Sequence, residues 1–322
     1  MSDIPLEGTP RNPVEPARPV ELSVVLTCFN EGAHIATFHD RLSKTLADIG
    51  RTYELIYVND GSADATWEQL CGLFEADPQV AVVADLSRNV GQMEALTAAL
   101  TYARGAIFVI LDTDLQLDPE SLPDLLAEYD KGYDLVSGYR PKRVDAHFRR
   151  LAALLGNWFI RRVTDTPLTD FGCTFKVIRG NLIRGMNCGP FKPFVPTHLL
   201  YHLPRCSEVP VAHHPRTHGV SGNPFWRKAA FALDNLAGLS TRLFQRAGVT
   251  FLVLGVLLAA GLPLAWPLLA RMSTAIGTAL VVLQVFTLGV LLLLGDILLR
   301  NHVMIQQIPV YILREVRQRH QG

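Results

Sequence analysis

Asp112 and Asp114 stand one residue apart, with Gln116 two positions further on and Asp118-Pro119 behind them. In an extended chain, side chains at alternate positions share a face, so residues 112, 114 and 116 would bring three oxygen donors to one spot. Two carboxylates and an amide oxygen so arranged suit Mg²⁺ or Mn²⁺. These ions take one or two carboxylates and complete their shells with water and substrate phosphate. The same residues also describe a solvated acidic turn in front of a helix starting at Pro119. The rest of the chain has to separate the two readings.

A strand is needed to deliver the pair. Residues 107–111 form a short apolar run with β-branched and aromatic members, the texture of a strand buried on both faces of a parallel sheet. Its carboxyl end is where open α/β sheets gather ligands. Strand patterns also fall at 22–28, 53–59, 80–86 and 133–138. Helix patterns lie between them, running to about 49, to 76, over 91–104 and over 119–131. Five alternations at short spacing predict βαβ units and an α/β domain with a mainly parallel, Rossmann-like, doubly wound sheet. The Gly-x-Gly-x-x-Gly fingerprint and the Gly-x-x-x-x-Gly-Lys-Ser/Thr loop are both missing, which counts against a dinucleotide fold and a P-loop ATPase. The first three strands end in Asn30-Glu31, in Asn59-Asp60-Gly61-Ser62 and in Arg88-Asn89. One such cluster is an ordinary loop of caps and turns. Several on one sheet edge, beside Asp112 and Asp114, describe a binding site.

Basic residues follow on the other side. Arg140, Lys142 and Arg143 come just after the fifth strand, and residues 213–221 form a polar loop containing His214, Arg216, His218 and Ser221. Such groups suit an anionic headgroup or phosphate. His198, His202 and Cys206 have zinc-like spacing, but the run lacks a second Cys or acidic pair and is broken by prolines, so zinc is set aside. Residues 147–162 and 225–246 mix arginines with Leu, Phe and Trp at helical spacing. Basic amphipathic helices of this kind lie in a membrane interface, although 147–162 also suits a packing helix.

Between Arg246 and Asp296 the only formal charge is Arg271. The stretches 247–270 and 273–295 are each long enough to cross a ~30 Å hydrocarbon core, which takes ~20 helical residues. Their flanks carry Arg242, Arg246, Arg300, Arg314, Arg317 and Arg319, which predicts a hairpin with both flanks cytoplasmic. Lys+Arg and Asp+Glu are both 30, so no global charge points to nucleic acid. Five scattered cysteines without a Cys-x-x-Cys fit a reduced compartment. The expected organisation is a disordered Pro-rich tail without a secretory signal (1–19), a catalytic domain (20–224), a juxtamembrane helix (225–246), a two-helix transmembrane hairpin (247–299) and a basic cytoplasmic tail (300–322).

Together, Asn30-Glu31, Asn59-Asp60-Gly61-Ser62, Leu86-Ser87-Arg88-Asn89-Val90-Gly91, Asp112-Thr113-Asp114-Leu115-Gln116 and Gly138-Tyr139-Arg140 resemble the inverting GT-A glycosyltransferases related to dolichyl-phosphate mannose synthase. Asp170-Phe171-Gly172-Cys173, the 214–221 loop and the two apolar stretches narrow the resemblance to the bacterial polyprenyl-phosphate glycosyltransferases. It implies transfer of a sugar from a nucleotide donor, a UDP-sugar, to undecaprenyl phosphate among membrane lipids at the inner membrane. Asn30, Glu31, Asp60, Arg88 and Asp112 would hold the donor. Asp112, Asp114 and Gln116 would hold Mg²⁺ or Mn²⁺. Arg140, Arg143, Arg216 and Ser221 would take the lipid phosphate. Asp112, Asp114 and Asp170 would form the catalytic set, with Asp170 placed near the acceptor. Whether the chain forms a homo-oligomer stays open. Two rivals stand beside this reading: a processive polysaccharide synthase, whose Gln-x-x-Arg-Trp motif is missing here, and a nucleotide-sugar-binding membrane protein without activity.

Overall fold

A computed structural model describes residues 19–141, 161, 166–185, 199–200, 203, 205–214 and 311–319, with positions 283, 287, 290, 291, 294 and 298. The amino-terminal half alternates as its apolar periodicity predicts. In order come β1 (Leu22–Cys28), α1 (Ile35–Ile49), β2 (Tyr53–Asn59), α2 (Thr66–Ala76), β3 (Val80–Leu86), α3 (Gln92–Leu100) and β4 (Ile107–Asp112). A 3₁₀ turn at Pro119–Ser121 then leads into α4 (Leu122–Tyr129), followed by β5 (Leu135–Tyr139), β6 (Lys176–Arg179), α5 (Gly180–Gly185) and β7 (Cys206–Pro210).

These strands form one sheet in the order β7-β5-β6-β4-β1-β2-β3, extended at its end by β8 (Leu313–Gln318). β4, β1, β2 and β3 are parallel, whereas β6 runs antiparallel to both β4 and β5. β1 leads outward to β2 and β3, and the chain then returns to lay β4 on β1's other side. The winding therefore reverses between β1 and β4, which opens a crevice at their carboxyl ends.

Alternation along the central strands feeds two cores. Val24, Leu26, Leu55 and Tyr57 pack with Ile35, Phe38, Leu42, Leu70 and Leu125 of the helices on one face. Val25, Ile56 and Val58 pack with Ala95, Leu96, Ala98 and Ala99 of α3 on the other. α1 shows why these segments fold as they do. Ile35, Phe38, His39, Leu42, Thr45 and Leu46 recur at three- and four-residue spacing and are buried, and Gly50 closes the helix in the left-handed conformation, φ 72°.

Two expectations change. Within the 300–322 segment, expected as a basic tail outside the catalytic domain, Leu313–Gln318 pairs antiparallel with β3 as the edge strand of the catalytic sheet. Its charges, which made it look like a solvated tail, are those an edge strand carries. The chain is also not extended through Gln116. β4 ends at Asp112, and Leu115 turns the backbone left-handed at φ 58°. The simple alternation of 112, 114 and 116 therefore fails.

The expected interfacial helices, apart from position 161, and the first apolar stretch lie outside the described residues. Among the described residues no helix is long and apolar enough to cross a membrane. Of the second stretch the structure describes helical positions only, where Leu283, Leu291 and Leu294 are exposed. Leu298, just beyond that stretch, is exposed too.

Candidate active site

The crevice is lined by the ends of four parallel strands, each fixed to its neighbours. After β2, the Asp60 amide donates to the Cys28 carbonyl of β1 at 2.9 Å. After β1, the Asn30 amide donates to Ser62 Oγ, and Asn30 Oδ1 accepts from the Ala63 amide, both at 2.9 Å. Asn30 is itself left-handed at φ 55°, a conformation asparagine tolerates better than most residues. Glu31 is 9% exposed in the turn before α1, its amide held by Thr66 Oγ1.

Asp60 is buried, and both of its oxygens serve the loop after β3. Oδ1 accepts from the Val90 amide at 2.8 Å, and Oδ2 accepts from the Gly91 amide at 3.0 Å and from Asn89 Nδ2 at 2.8 Å. Gly61 makes this approach feasible. It is left-handed at φ +63°, and a Cβ there would lie 2.3 Å from the carbonyl carbon of Arg88. Arg88 is exposed at the rim.

Asp112 closes β4. Its Oδ2 accepts from Thr174 Oγ1 at 2.6 Å, and its Oδ1 accepts from Gln92 Nε2. Enclosure by protein, followed by the charge of Asp114, pushes its pKa up to about 6 against the pull of those two hydrogen bonds and of Lys176. Asp114 Oδ1 accepts from the Gln116 amide at 3.1 Å, which folds 114–116 into an Asx turn over the left-handed Leu115. Two carboxylates crowded at one strand end, one of them reluctant to ionise beside the other, are a pair whose repulsion a divalent cation relieves. Among the described residues no group of three or more His, Cys, Asp and Glu side chains forms a metal cage. Mg²⁺ and Mn²⁺ use so few protein ligands when substrate phosphate supplies the rest that the donor set fits them.

The basic side meets the acidic side through one segment. Thr174 holds Asp112, and four residues earlier Asp170 holds Arg140. Arg140 Nε donates to Asp170 Oδ2 at 2.7 Å and Nη2 to Oδ1 at 2.9 Å, a bidentate pair with both side chains 13% exposed. The Asp170 amide donates to Glu208 at 3.0 Å. Buried Lys176 donates to the Cys173 carbonyl beneath this segment, and burial lowers its pKa. The polar loop joins at its start. The His214 amide donates to the Gln116 carbonyl at 2.8 Å, and the His214 ring meets Asp118 at 2.8 Å. Arg41 donates to the other oxygen of Asp118 at 2.6 Å.

The structure thus brings Asn30, Glu31, Asp60, Arg88, Asp112, Asp114 and Gln116 to one edge, with Arg140 and Asp170 beside them. Arg143, Arg216 and Ser221 lie outside the described residues. Sequence reasoning missed Gln92, Thr174, Lys176 and Glu208. Lys176 alone left a signal, as a single charge inside the apolar run Phe175–Ile178.

Comparison with known proteins follows the same lines. Residues 23–184 match the Glycosyl transferase family 2 model. Undecaprenyl-phosphate 4-deoxy-4-formamido-L-arabinose transferase of Klebsiella pneumoniae is 34% identical over 239 residues, 73% of this chain and 73% of that protein. Dodecaprenyl-phosphate galacturonate synthase of Rhizobium johnstonii is 30% identical over 329 residues, 97% of this chain and 96% of that one. Glucosyl-3-phosphoglycerate synthase of Mycobacterium tuberculosis shares the fold at 20% identity, with a TM-score of 0.51, 71% of this chain and 81% of that chain being covered. A second structure of that synthase, in complex with Mn²⁺, uridine diphosphate and phosphoglyceric acid, matches at 19% identity and a TM-score of 0.50, covering 68% of this chain and 77% of that one. A sheet that reverses its winding beside the strand bearing Asp112, and a match from 23 to 184 across it, make this chain a GT-A glycosyltransferase belonging to glycosyl transferase family 2.

Proposed function

We propose that the enzyme transfers one sugar from a UDP-sugar to the phosphate of undecaprenyl phosphate, with inversion, at the cytoplasmic face of the inner membrane. The observation that carries this reading is segment 170–174, which grips Asp112 at one end and Arg140 at the other. That link supports a reading in which a donor site and a phosphate site lie side by side. The names of the Klebsiella and Rhizobium relatives supply the acceptor class.

Glu31, Asn30 and Arg88 line the nucleotide's side, and Asp60 acts by closing the 89–91 loop. Asp112, Asp114 and Gln116 would hold a divalent cation, which would supply Lewis-acid stabilisation of the departing diphosphate. Arg140, with Arg143, Arg216 and Ser221, orients the lipid phosphate. One phosphate oxygen bonds to the anomeric carbon as the bond to UDP breaks on the opposite face, and the electron pair leaves with UDP. The nucleophile is already anionic, so catalysis is mostly alignment, worth ~7–11 kcal/mol, and charge stabilisation.

β8 supports the topology. It joins the catalytic sheet after both apolar stretches, which fits an even number of crossings between residues 246 and 311. Leucines exposed at the helical positions 283, 291, 294 and 298 suit a lipid-facing surface.

Full-length enzyme in detergent, given Mn²⁺, undecaprenyl phosphate and a panel of nucleotide sugars, should yield a lipid heavier by one sugar residue, with UDP released. Asp114→Ala should cut the product by ~10²–10³-fold, the usual cost of removing one group that stabilises developing charge. Its circular dichroism should not change. Lipid carrying several sugars would identify a processive synthase. Binding of nucleotide sugar without any product would identify a non-catalytic receptor.

A further inference from the structure

We propose that the C-terminal strand is part of the donor site, with Arg314 as a positioning residue for the loops that hold the nucleotide; the nucleotide part rests on the function proposed above. β8 pairs regularly with β3 from Val82↔Gln318 to Asp85↔Glu315, but the next pair is Leu86↔Leu313. Arg314 is the residue left over. It sits in a bulge, a device that re-aims a side chain beside a site. Its guanidinium turns toward the carboxyl end of β3, where Nη1 donates to Asp85 Oδ2 at 3.0 Å and Nη2 to the Ser87 carbonyl at 2.8 Å. The Ser87 amide donates to the Ile312 carbonyl at 2.9 Å, so the start of the 87–91 loop is gripped from both of its backbone groups.

From Asp85 the contacts run inward. Asp85 is 1% exposed, and its other oxygen accepts from Asn59 Nδ2 at 2.7 Å. With its amide nitrogen so engaged, Asn59 turns its Oδ1 toward Ser62, whose amide donates to it at 3.3 Å. Ser62 Oγ in turn accepts the Asn30 amide at 2.9 Å. Arg314 thus fixes the Asn59 amide orientation and, through it, the loops after β1 and β2. By the Ser87 carbonyl it fixes the loop after β3. Covering a sheet edge needs backbone pairing only. A bulged arginine bound to a buried aspartate and a loop carbonyl is more than a cover requires.

Arg317 provides the control, because it lies on the same strand but pairs with Glu75 and Glu315, away from these loops. In full-length enzyme, Arg314→Met should raise the Kd for UDP and the donor KM by about tenfold, equivalent to ~1.4 kcal/mol. The acceptor KM should stay unchanged, and the amides of Ser62, Val90 and Gly91 should exchange hydrogen faster. Arg314→Lys keeps the charge at Asp85 but not the fork, and should fall between. Arg317→Met should change neither KM. Equal shifts in both KM values, the same donor shift in Arg317→Met, or a lower melting temperature with donor KM and loop exchange unchanged would reduce β8 to an edge cover. If wild-type enzyme binds no UDP, the nucleotide reading fails, whereas unchanged exchange at Ser62, Val90 and Gly91 overturns the positioning role itself.

Discussion

Asp170 gives both oxygens to Arg140 and sits four residues from the threonine that holds Asp112. A carboxylate so engaged is a counter-charge that fixes the Arg140 guanidinium, which the proposed function assigns to the acceptor phosphate. A phosphate monoester has its second pKa near ~6, so at neutral pH there is little proton for a base to remove. Asp170→Asn should lower kcat by about 10–100-fold at every pH, the worth of one charged hydrogen bond of ~1.5–3 kcal/mol, and leave the pH profile's shape intact. Full recovery above about pH 8 with no activity below about pH 6 would instead mark a general base. Asp112, Asp114 and Asp170 were legible because paired or motif-bound carboxylates are conspicuous in a sequence. Gln92 and Thr174 were not, since an amide or hydroxyl becomes a partner only when folding brings it to an acid 20 or 62 positions away.

At the scale of elements, the site is a set of loops stitched at strand ends, and Gly61 is the stitch with the least tolerance. Gly61→Ala would place a Cβ 2.3 Å from Arg88's carbonyl carbon in a left-handed conformation that costs an L-residue ~1–2 kcal/mol before any clash. The 87–91 loop should lift from Asp60, so donor KM should rise more than acceptor KM and the melting temperature should fall. Unchanged donor KM would mean the loop plays no part in binding. β1, β2 and β3 fell where the apolar runs predicted, because each run ends at a polar turn. The 91–104 helix is shorter than its pattern. It stops at Leu100, and Arg104 turns back to the buried Glu54 at 2.7 Å. Helical spacing cannot foresee that ion pair. β8 was unreadable for a different reason: Leu-Arg-Glu-Val-Arg-Gln has too few apolar residues to look like a strand until a sheet edge is there to receive it.

Across the whole molecule, His39 joins three elements beneath the sheet. It meets Tyr57 Oη at 2.9 Å and Asp77 at 3.3 Å, and burial lowers its pKa even though Asp77 pulls the other way. The folded state therefore disfavours protonation relative to the unfolded chain. Its contribution is complete above the unfolded pKa of ~6.5 and is lost as pH falls through the lower folded value. Melting temperature should fall between about pH 7 and pH 5, and His39→Gln should flatten that slope. An identical slope in the variant would assign the effect elsewhere. The edge strand sets a further condition, on synthesis. Asp85 and Arg314 are 229 positions apart. At ~5–20 residues per second, β3 waits on the order of 10–45 s for its last neighbour to leave the ribosome. The residues from 247 to 295 emerge within that interval. A nascent chain arrested at residue 300 should therefore bind UDP poorly, and resumed synthesis through residue 318 should restore binding. The order of translation would keep the transferase silent until its apolar segments have been made.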